Sequence, residues 1–306
     1  MRKVILKDSK ENQIHVYLYE PKIEIIGIVH IIHGASEHFA RYGLFAEFLN
    51  EHGFLVIGCD ILGHGLSTST NDYVHFADKK GDLLAFESVE LVKDYIETHY
   101  PKKDVYILGH SMGSFLARKM IILYPDFYKK AIISGTTHAS KGLTFFGIAL
   151  TSIFQCFKGP RHISKTIQNL AIDSNPNKMR KDGLIHGINE EWLTKDEAIQ
   201  QYYHASPMCG QPFTVSANRN LFRWLNFVND KKNLMKGNMK QPILLISGAK
   251  DPLSNYGERV VYLYHLMKRL GYESIEYKLY NEDRHEILNE LDKAVVYQDI
   301  LEFLEK

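Results

Sequence analysis

Asp104-Val105-Tyr106-Ile107-Leu108, then Gly109-His110-Ser111-Met112-Gly113, then Ser114 to Tyr124 read as one continuous device: a strand, a five-residue turn and a helix. That setting gives the G-x-S-x-G pentapeptide its chemical meaning. A strand turning abruptly into a helix puts residue 111 in a crowded backbone conformation. Glycine at 109 and 113 leaves room for the turn and lifts the Ser111 hydroxyl out of the sheet. The new helix also aims its free N–H groups and positive dipole end at the place where a tetrahedral oxyanion would form.

A serine hydroxyl is a poor nucleophile at neutral pH, so it needs a base and a group to orient that base. Two later strand-like runs supply candidates in the required order. Pro242 to Gly248 reads as a buried strand followed by Ala249-Lys250-Asp251-Pro252, and Ile275 to Tyr280 as a strand followed by Asn281 to Glu286. His285 would take the Ser111 proton while Asp251 fixes the imidazole tautomer. Taken singly, Asp251 is also an ordinary turn residue before proline, and His285 is one of fifteen histidines. Their order after separate strands favours the triad, with Asp283 as the reserve acid.

Two backbone donors are needed for the oxyanion. Met112, directly after the nucleophile, offers one. The apolar run Ile25 to Ile32 ends in His33-Gly34-Ala35-Ser36-Glu37-His38, and the Ala35 N–H is the second candidate. His33, Glu37 and His38 do not have the spacing of a zinc-binding helix, and no metal or other cofactor is expected.

These stretches, with Arg41-Tyr42, Asp60 to Ser67 and Arg284 to Glu290, resemble the monoacylglycerol lipase and lysophospholipase branch of the α/β-hydrolases, a serine aminopeptidase S33-like group. The resemblance covers residues from about 13 to 306 except roughly 140 to 220. It implies an α/β-hydrolase fold, a mainly parallel eight-stranded sheet with helices on both faces, and cofactor-free ester hydrolysis. In that branch the oxyanion loop reads His-Gly-x-Gly-Glu-His, whereas this chain has Ser36 at the second glycine, leaving the loop's shape open. His64 reads as a structural loop residue, with substrate contact as the alternative.

Composition fits a globular enzyme. The 306 residues are 45% apolar, and a net charge of +1 gives no overall attraction to nucleic acid. Three scattered cysteines and an N-terminus without an apolar leader point to a cytoplasmic setting. Helical apolar stripes recur at Tyr42-Phe45-Leu49, at Ala85-Val89-Val92-Ile96 behind a cap-like Asp82, at Val260-Leu263-Met267-Leu270, and at Val296-Ile300-Phe303. They are core faces. The strand–helix alternation breaks for about a hundred residues after Ser134, far more than a connection needs.

The expected organisation is therefore a hydrolase core at 1–135 and 241–306, with a helical cap at 136–240. Thr136 to Lys240 carries 14 Lys and Arg against 7 Asp and Glu, net +7, while the rest of the chain is net −6. Leu143 to Phe154 is the most apolar stretch and too short to span a bilayer. It is either a buried cap helix or an acyl-chain wall, with Phe146, Ile148 and Leu150 as substrate-contact candidates and transient membrane-surface contact as a further role.

The expected substrate is a small lipid-like ester, a monoacylglycerol or a lysophospholipid. The alternatives are an aminopeptidase-like hydrolase, disfavoured by the basic cap, and a catalytically silent ligand-binding module. The sequence leaves acyl length, head group and oligomeric state open.

Overall fold

An antiparallel hairpin precedes the parallel part of the sheet. In the computed structural model, which describes residues 1–70 and 72–306, β1 (Arg2–Lys7) pairs with β2 (Gln13–Tyr19) across a turn at Asp8. The Asp8 carboxylate accepts the N–H groups of Lys10 and Asn12, which is how a short acidic side chain substitutes for a backbone partner in a turn. β2 pairs antiparallel with β4 (Phe54–Cys59). The remaining strands, β3 (Gly27–Ile32), β5 (Val105–His110), β6 (Lys130–Ser134), β7 (Ile243–Gly248) and β8 (Ile275–Tyr280), are parallel, in the order β1-β2-β4-β3-β5-β6-β7-β8.

β4 and β5 lie on opposite sides of β3, so the winding direction reverses there. Such a reversal opens a crevice at the carboxyl ends of the flanking strands. The buried strands are apolar on both faces because helices cover both. Ile28 and Ile107 face a core shared with α2 (Gly81–His99) and α3 (Met112–Leu123), whereas their neighbours Val29 and Leu108 face α1 (Gly43–Glu51) and the C-terminal helix. At α2 the residue before the helix is Lys80 in a left-handed conformation (φ 54°), so Asp82 does not cap the helix as its sequence position suggests. It sits in the first turn and pairs with Arg223 at 3.0 Å.

Between β6 and β7 the chain forms α4 (Lys141–Lys158), α5 (Lys165–Gln168), a π turn (Asn169–Asp173), α6 (Ser174–Lys181), α7 (Glu197–Ala205), α8 (Val215–Asn229) and α9 (Lys231–Leu234). α10 (Glu258–Arg269) and α11 (Lys293–Glu305) complete the chain. α4 buries only a seam of small residues, Thr144, Gly147 and Thr151, against α8. A Cβ at Gly147 would come within 2.8 Å of the Phe222 ring, so the helices meet where side chains are smallest. α8 docks onto the core through Trp224, whose indole N–H donates to the Asp82 carbonyl at 3.0 Å. Among the described residues no helix is long and apolar enough to cross a membrane.

Candidate active site

Ser111 sits between β5 and α3 with φ 53° and ψ −119°, a left-handed conformation costly for any residue with a Cβ. The turn tolerates it because its neighbours are bare. A Cβ at Gly113 would overlap the Ile32 carbonyl oxygen, and one at Gly109 the Gly113 carbonyl oxygen. The strained turn is held by Ser111 N–H donating to the Ser134 carbonyl at 3.0 Å and by Ser114 Oγ donating to the Ser111 carbonyl at 2.5 Å.

The loops after β7 and β8 bring Asp251 and His285 together. Both are buried, and His285 Nδ1 lies 3.0 Å from Asp251 Oδ2. Burial lowers the imidazole's affinity for a proton, but the facing Asp251 carboxylate, with Glu286 and Glu37 nearby, outweighs it and holds the pKa above its ordinary 6.5. Asp251 is itself fixed by the Leu253 N–H at 2.9 Å and the Ser247 hydroxyl at 3.3 Å. Asp283 is placed differently: Lys195 is 3.5 Å away, and burial together with Asp292 and Glu290 pushes its carboxyl up to about 7.

Gly34 packs against Ser111, and its N–H donates to Glu37 Oε1 at 2.5 Å. Among the described residues no protein acceptor takes the N–H of Ala35 or of Met112, so both are free to face a developing oxyanion. Ser36 adopts φ 54°, the left-handed region where glycine is the comfortable choice. Three contacts with the insertion offset that strain. Ser36 Oγ donates to the Gln211 carbonyl (2.8 Å), while the Ser36 carbonyl accepts from Gly210 N–H (2.8 Å) and the Tyr203 hydroxyl (2.9 Å). His33 donates to the Gly34 carbonyl and accepts from Ile61 N–H, and His64 packs edge-on against His33 and Phe213. His64 is buried and does not line the cavity over Ser111.

A buried ionic bridge links the oxyanion loop to the histidine loop. The Arg41 guanidinium spans Glu37 (2.5 Å) and, bidentately, Glu286 (2.7 and 2.6 Å), with the Tyr203 ring beneath it at 4.9 Å. Its residues stood in the sequence motifs, but pairing Glu37 with Glu286 through Arg41 joins positions about 250 apart and has no local signal.

The insertion also reaches the histidine. Trp192 stacks on His285 with ring centroids 4.6 Å apart and planes 22° from parallel. Glu286 N–H donates to the Leu193 carbonyl at 2.7 Å, and His285 N–H to the Trp192 carbonyl at 3.4 Å. His110 is a second ring against His285, at 4.7 Å; burial and the neighbouring His285 hold it down at about 4, so it stays neutral. On the acid loop, Lys178 lies over the Tyr256 ring, and Tyr256 donates to Asp182 at 2.5 Å. All three loops thus bear on the insertion.

The cavity over Ser111 measures about 160 Å³ and includes Ala35, Met112 and His285, with Phe115, Trp192 and Leu253 among its apolar walls. Ser111, His285, Ala35 and Met112 are therefore brought together, with Asp251 behind the histidine. Phe146, Ile148 and Leu150 are not among the cavity's lining residues. Phe146 is 56% exposed and the other two are half-buried, because the small-residue seam turns α4's bulky side chains outward.

A family profile described as serine aminopeptidase, S33, matches residues 23–292. A monoacylglycerol lipase of Mycolicibacterium smegmatis is 23% identical over 289 residues, covering 94% of this chain and 91% of that protein. The human monoglyceride lipase is 34% identical over 91 residues, 29% of this chain and 28% of that one. Among solved structures, a thermostable carboxyl esterase from Bacillus coagulans, in complex with glycerol, superposes with a TM-score of 0.88 at 20% identity over 99% of this chain and 97% of that one. A monoglyceride lipase from Saccharomyces cerevisiae gives 0.72 at 17% identity, over 95% and 91%. At these identities the structural likenesses speak for the fold. With the family profile spanning most of its length, the chain belongs to the serine aminopeptidase S33 family, on an α/β-hydrolase fold.

Proposed function

We propose that the protein is a serine carboxylester hydrolase acting on lipid-like esters. The observation that carries the reading is the convergence of a strained serine elbow, a histidine backed by a buried carboxylate, and two unclaimed N–H groups on one partly apolar cavity. In this scheme Ser111 Oγ attacks the ester carbonyl carbon while His285 Nε2 takes its proton. The oxyanion is held by the Ala35 and Met112 N–H groups. Collapse expels the alcohol, which receives the proton from His285, and leaves an acyl group on Ser111. A water molecule then attacks the acyl carbon, its proton passing to His285 and back to Ser111 as the carboxylic acid departs.

Gln168, Asn175 and Asn189 line the same cavity beside Asp173 and Glu190, and among the described residues no Lys or Arg does. That surface suits a neutral polyol leaving group better than an anionic one and favours monoacylglycerol within the lipid class. The similarity to monoacylglycerol lipases points the same way. The insertion, residues 136–240, serves as the cap of this site. The outer face of α4, with Phe145 at 70% and Phe157 at 81% exposure, is the surface we assign to transient contact with a lipid layer.

Asp173 and Glu190 also favour a second reading. Carboxylates over the nucleophile would suit the ammonium group of a peptide N-terminus, and the family description reads serine aminopeptidase, although Glu190 is engaged by His204 at 3.0 Å. A panel of monoacylglycerols, lysophosphatidylcholine and amino-acid amides separates the two. Turnover of monoacylglycerols above amides supports the ester reading, and turnover of amides alone overturns it.

A further inference from the structure

A second cavity adjoins the one over Ser111. Its volume is about 290 Å³, and the two share Phe115, Ala171, Asn175, Leu221 and Leu253 as common walls. Leu143, Leu170, Phe222, Leu225 and Pro252 make much of the rest of its surface apolar. Two cations break that surface. Among the described residues Lys178 on α6 and Arg259 on α10 are the charged side chains lining it, both half-buried, and no acid lines it.

The polar contacts of these cations are with neutral groups. Lys178 Nζ donates to Asn255 Oδ1, and Arg259 Nη1 donates to Thr137 Oγ1 at 3.3 Å and to the Leu253 carbonyl at 3.4 Å. Among the described residues neither is within ion-pairing distance of a carboxylate, whereas three acids of the insertion are paired, Asp230 with Lys141, Glu190 with His204 and Asp196 with Lys293. Arg118 lies nearby as well: burial, Arg118 and Arg259 together drive His138 down to about 4, so that ring stays neutral. The cavity over Ser111 has the opposite character, with Asp173 and Glu190 in its wall.

A half-buried cation without a counter-charge has lost part of its hydration and gained in return neutral dipoles and, for Lys178, the face of the Tyr256 ring 4.1 Å away. An anion that reached it would form charge-assisted hydrogen bonds, the stronger kind. To arrive from Ser111 it would have to be carried along the apolar shared wall. We propose that the second cavity receives a carboxylate or phosphate group at the end of an apolar arm of the ester. The enzyme is then selective for esters with one anionic end. This rests on the ester-hydrolase reading and adds a substrate class to it.

The test compares matched pairs of esters. For an anion on the acyl arm the pair is the mono-p-nitrophenyl ester of decanedioic acid and p-nitrophenyl decanoate. For an anion on the alcohol arm it is 10-(butanoyloxy)decanoic acid and decyl butanoate. The quantity read is the anionic-to-neutral ratio of kcat/KM, in the native enzyme and in Lys178→Met/Arg259→Met. In one pair that ratio should fall by about tenfold or more in the double variant, the scale of a lost charge-assisted contact, and the pair that responds identifies the arm. Equal losses within both pairs would mean that the cations only brace the acid loop, and an unchanged ratio would mean that they do nothing for substrate; either overturns the proposal while leaving ester hydrolysis intact. If no ester is turned over, the ester reading itself fails. Calorimetric titration with decyl phosphate then still decides the cavity: binding lost in Lys178→Gln and Arg259→Gln supports it, and absence of binding to the native protein sinks it.

Discussion

α4 and the stretch from Asn189 to Gln211 belong to the same insertion and behave in opposite ways. α4 contains the most apolar sequence in the chain, yet it turns Phe145, Phe146, Ile153 and Phe157 to the outside and buries threonine and glycine. The polar stretch, through Trp192, Leu193, Tyr203, Gly210 and Gln211, holds both the oxyanion loop and the histidine loop. Hydrophobicity measures how much a segment gains by leaving water. It does not say which neighbour will cover it, and here the small-residue seam decided which face of α4 went inward.

In the proposed scheme the sharpest division lies between the residues assigned to the chemistry and the residues that hold them. Ser111→Ala and His285→Ala should each lower kcat by about 10⁴-fold or more with folding intact, as removal of a triad member does elsewhere. Steady-state kinetics beside a thermal melt reads both, and near-normal turnover by Ser111→Ala would dismantle the site. Asp251→Asn belongs in the same range. If its loss is mild, His285 depends on its other neighbours more than on its carboxylate.

Trp192 tests the inner half of the comparison. An indole face against an imidazolium stabilises the charged form, so Trp192→Leu should lower kcat by about tenfold while Trp192→Phe keeps most of it. The pH profile separates this from a packing defect. His285 is held above its ordinary 6.5, and only neutral imidazole acts as base, so kcat should rise with pH through a midpoint above 6.5. Losing the indole removes a contact that favours the proton, so the midpoint should move to lower pH in Trp192→Leu. A lower kcat with an unmoved midpoint would make Trp192 a wall and nothing more.

The smallest effect is expected on the outer half. Phe145→Ser/Phe157→Ser should leave hydrolysis of a dissolved short-chain ester within about twofold of the native rate, because surface changes away from the site cost little. Binding to phosphatidylcholine vesicles, read by co-sedimentation, should fall. Impaired turnover of the dissolved ester would place α4 nearer the chemistry than its exposure indicates.

How much of this was legible in the sequence follows the same division. The strands from Gly27 to Gly248 were readable because parallel strands buried on both faces are apolar runs bounded by turn residues, and Ile275–Tyr280, largely exposed at the sheet edge, was readable from its alternation. Gly109, Ser111 and Gly113 were readable because the elbow is a local device, decided by backbone crowding within five residues. The grouping of Ser111, Asp251 and His285 was readable from chain order after separate strands. Trp192 was not, because nothing in Asn189-Glu190-Glu191-Trp192 says that a loop residue nearly a hundred positions upstream will lie flat on His285. Ser36 was readable as a departure, but its three contacts to the insertion, which let a serine keep a left-handed backbone, depend on tertiary structure.

The central claim is that Ser111 is the residue that becomes acylated. Incubating the protein with a fluorophosphonate and mapping the adduct by peptide mass spectrometry tests it most directly. The account predicts a single stoichiometric adduct on the peptide carrying Gly109 to Gly113, at Ser111, and none in Ser111→Ala. An adduct on another residue, or undiminished labelling of Ser111→Ala, would contradict it.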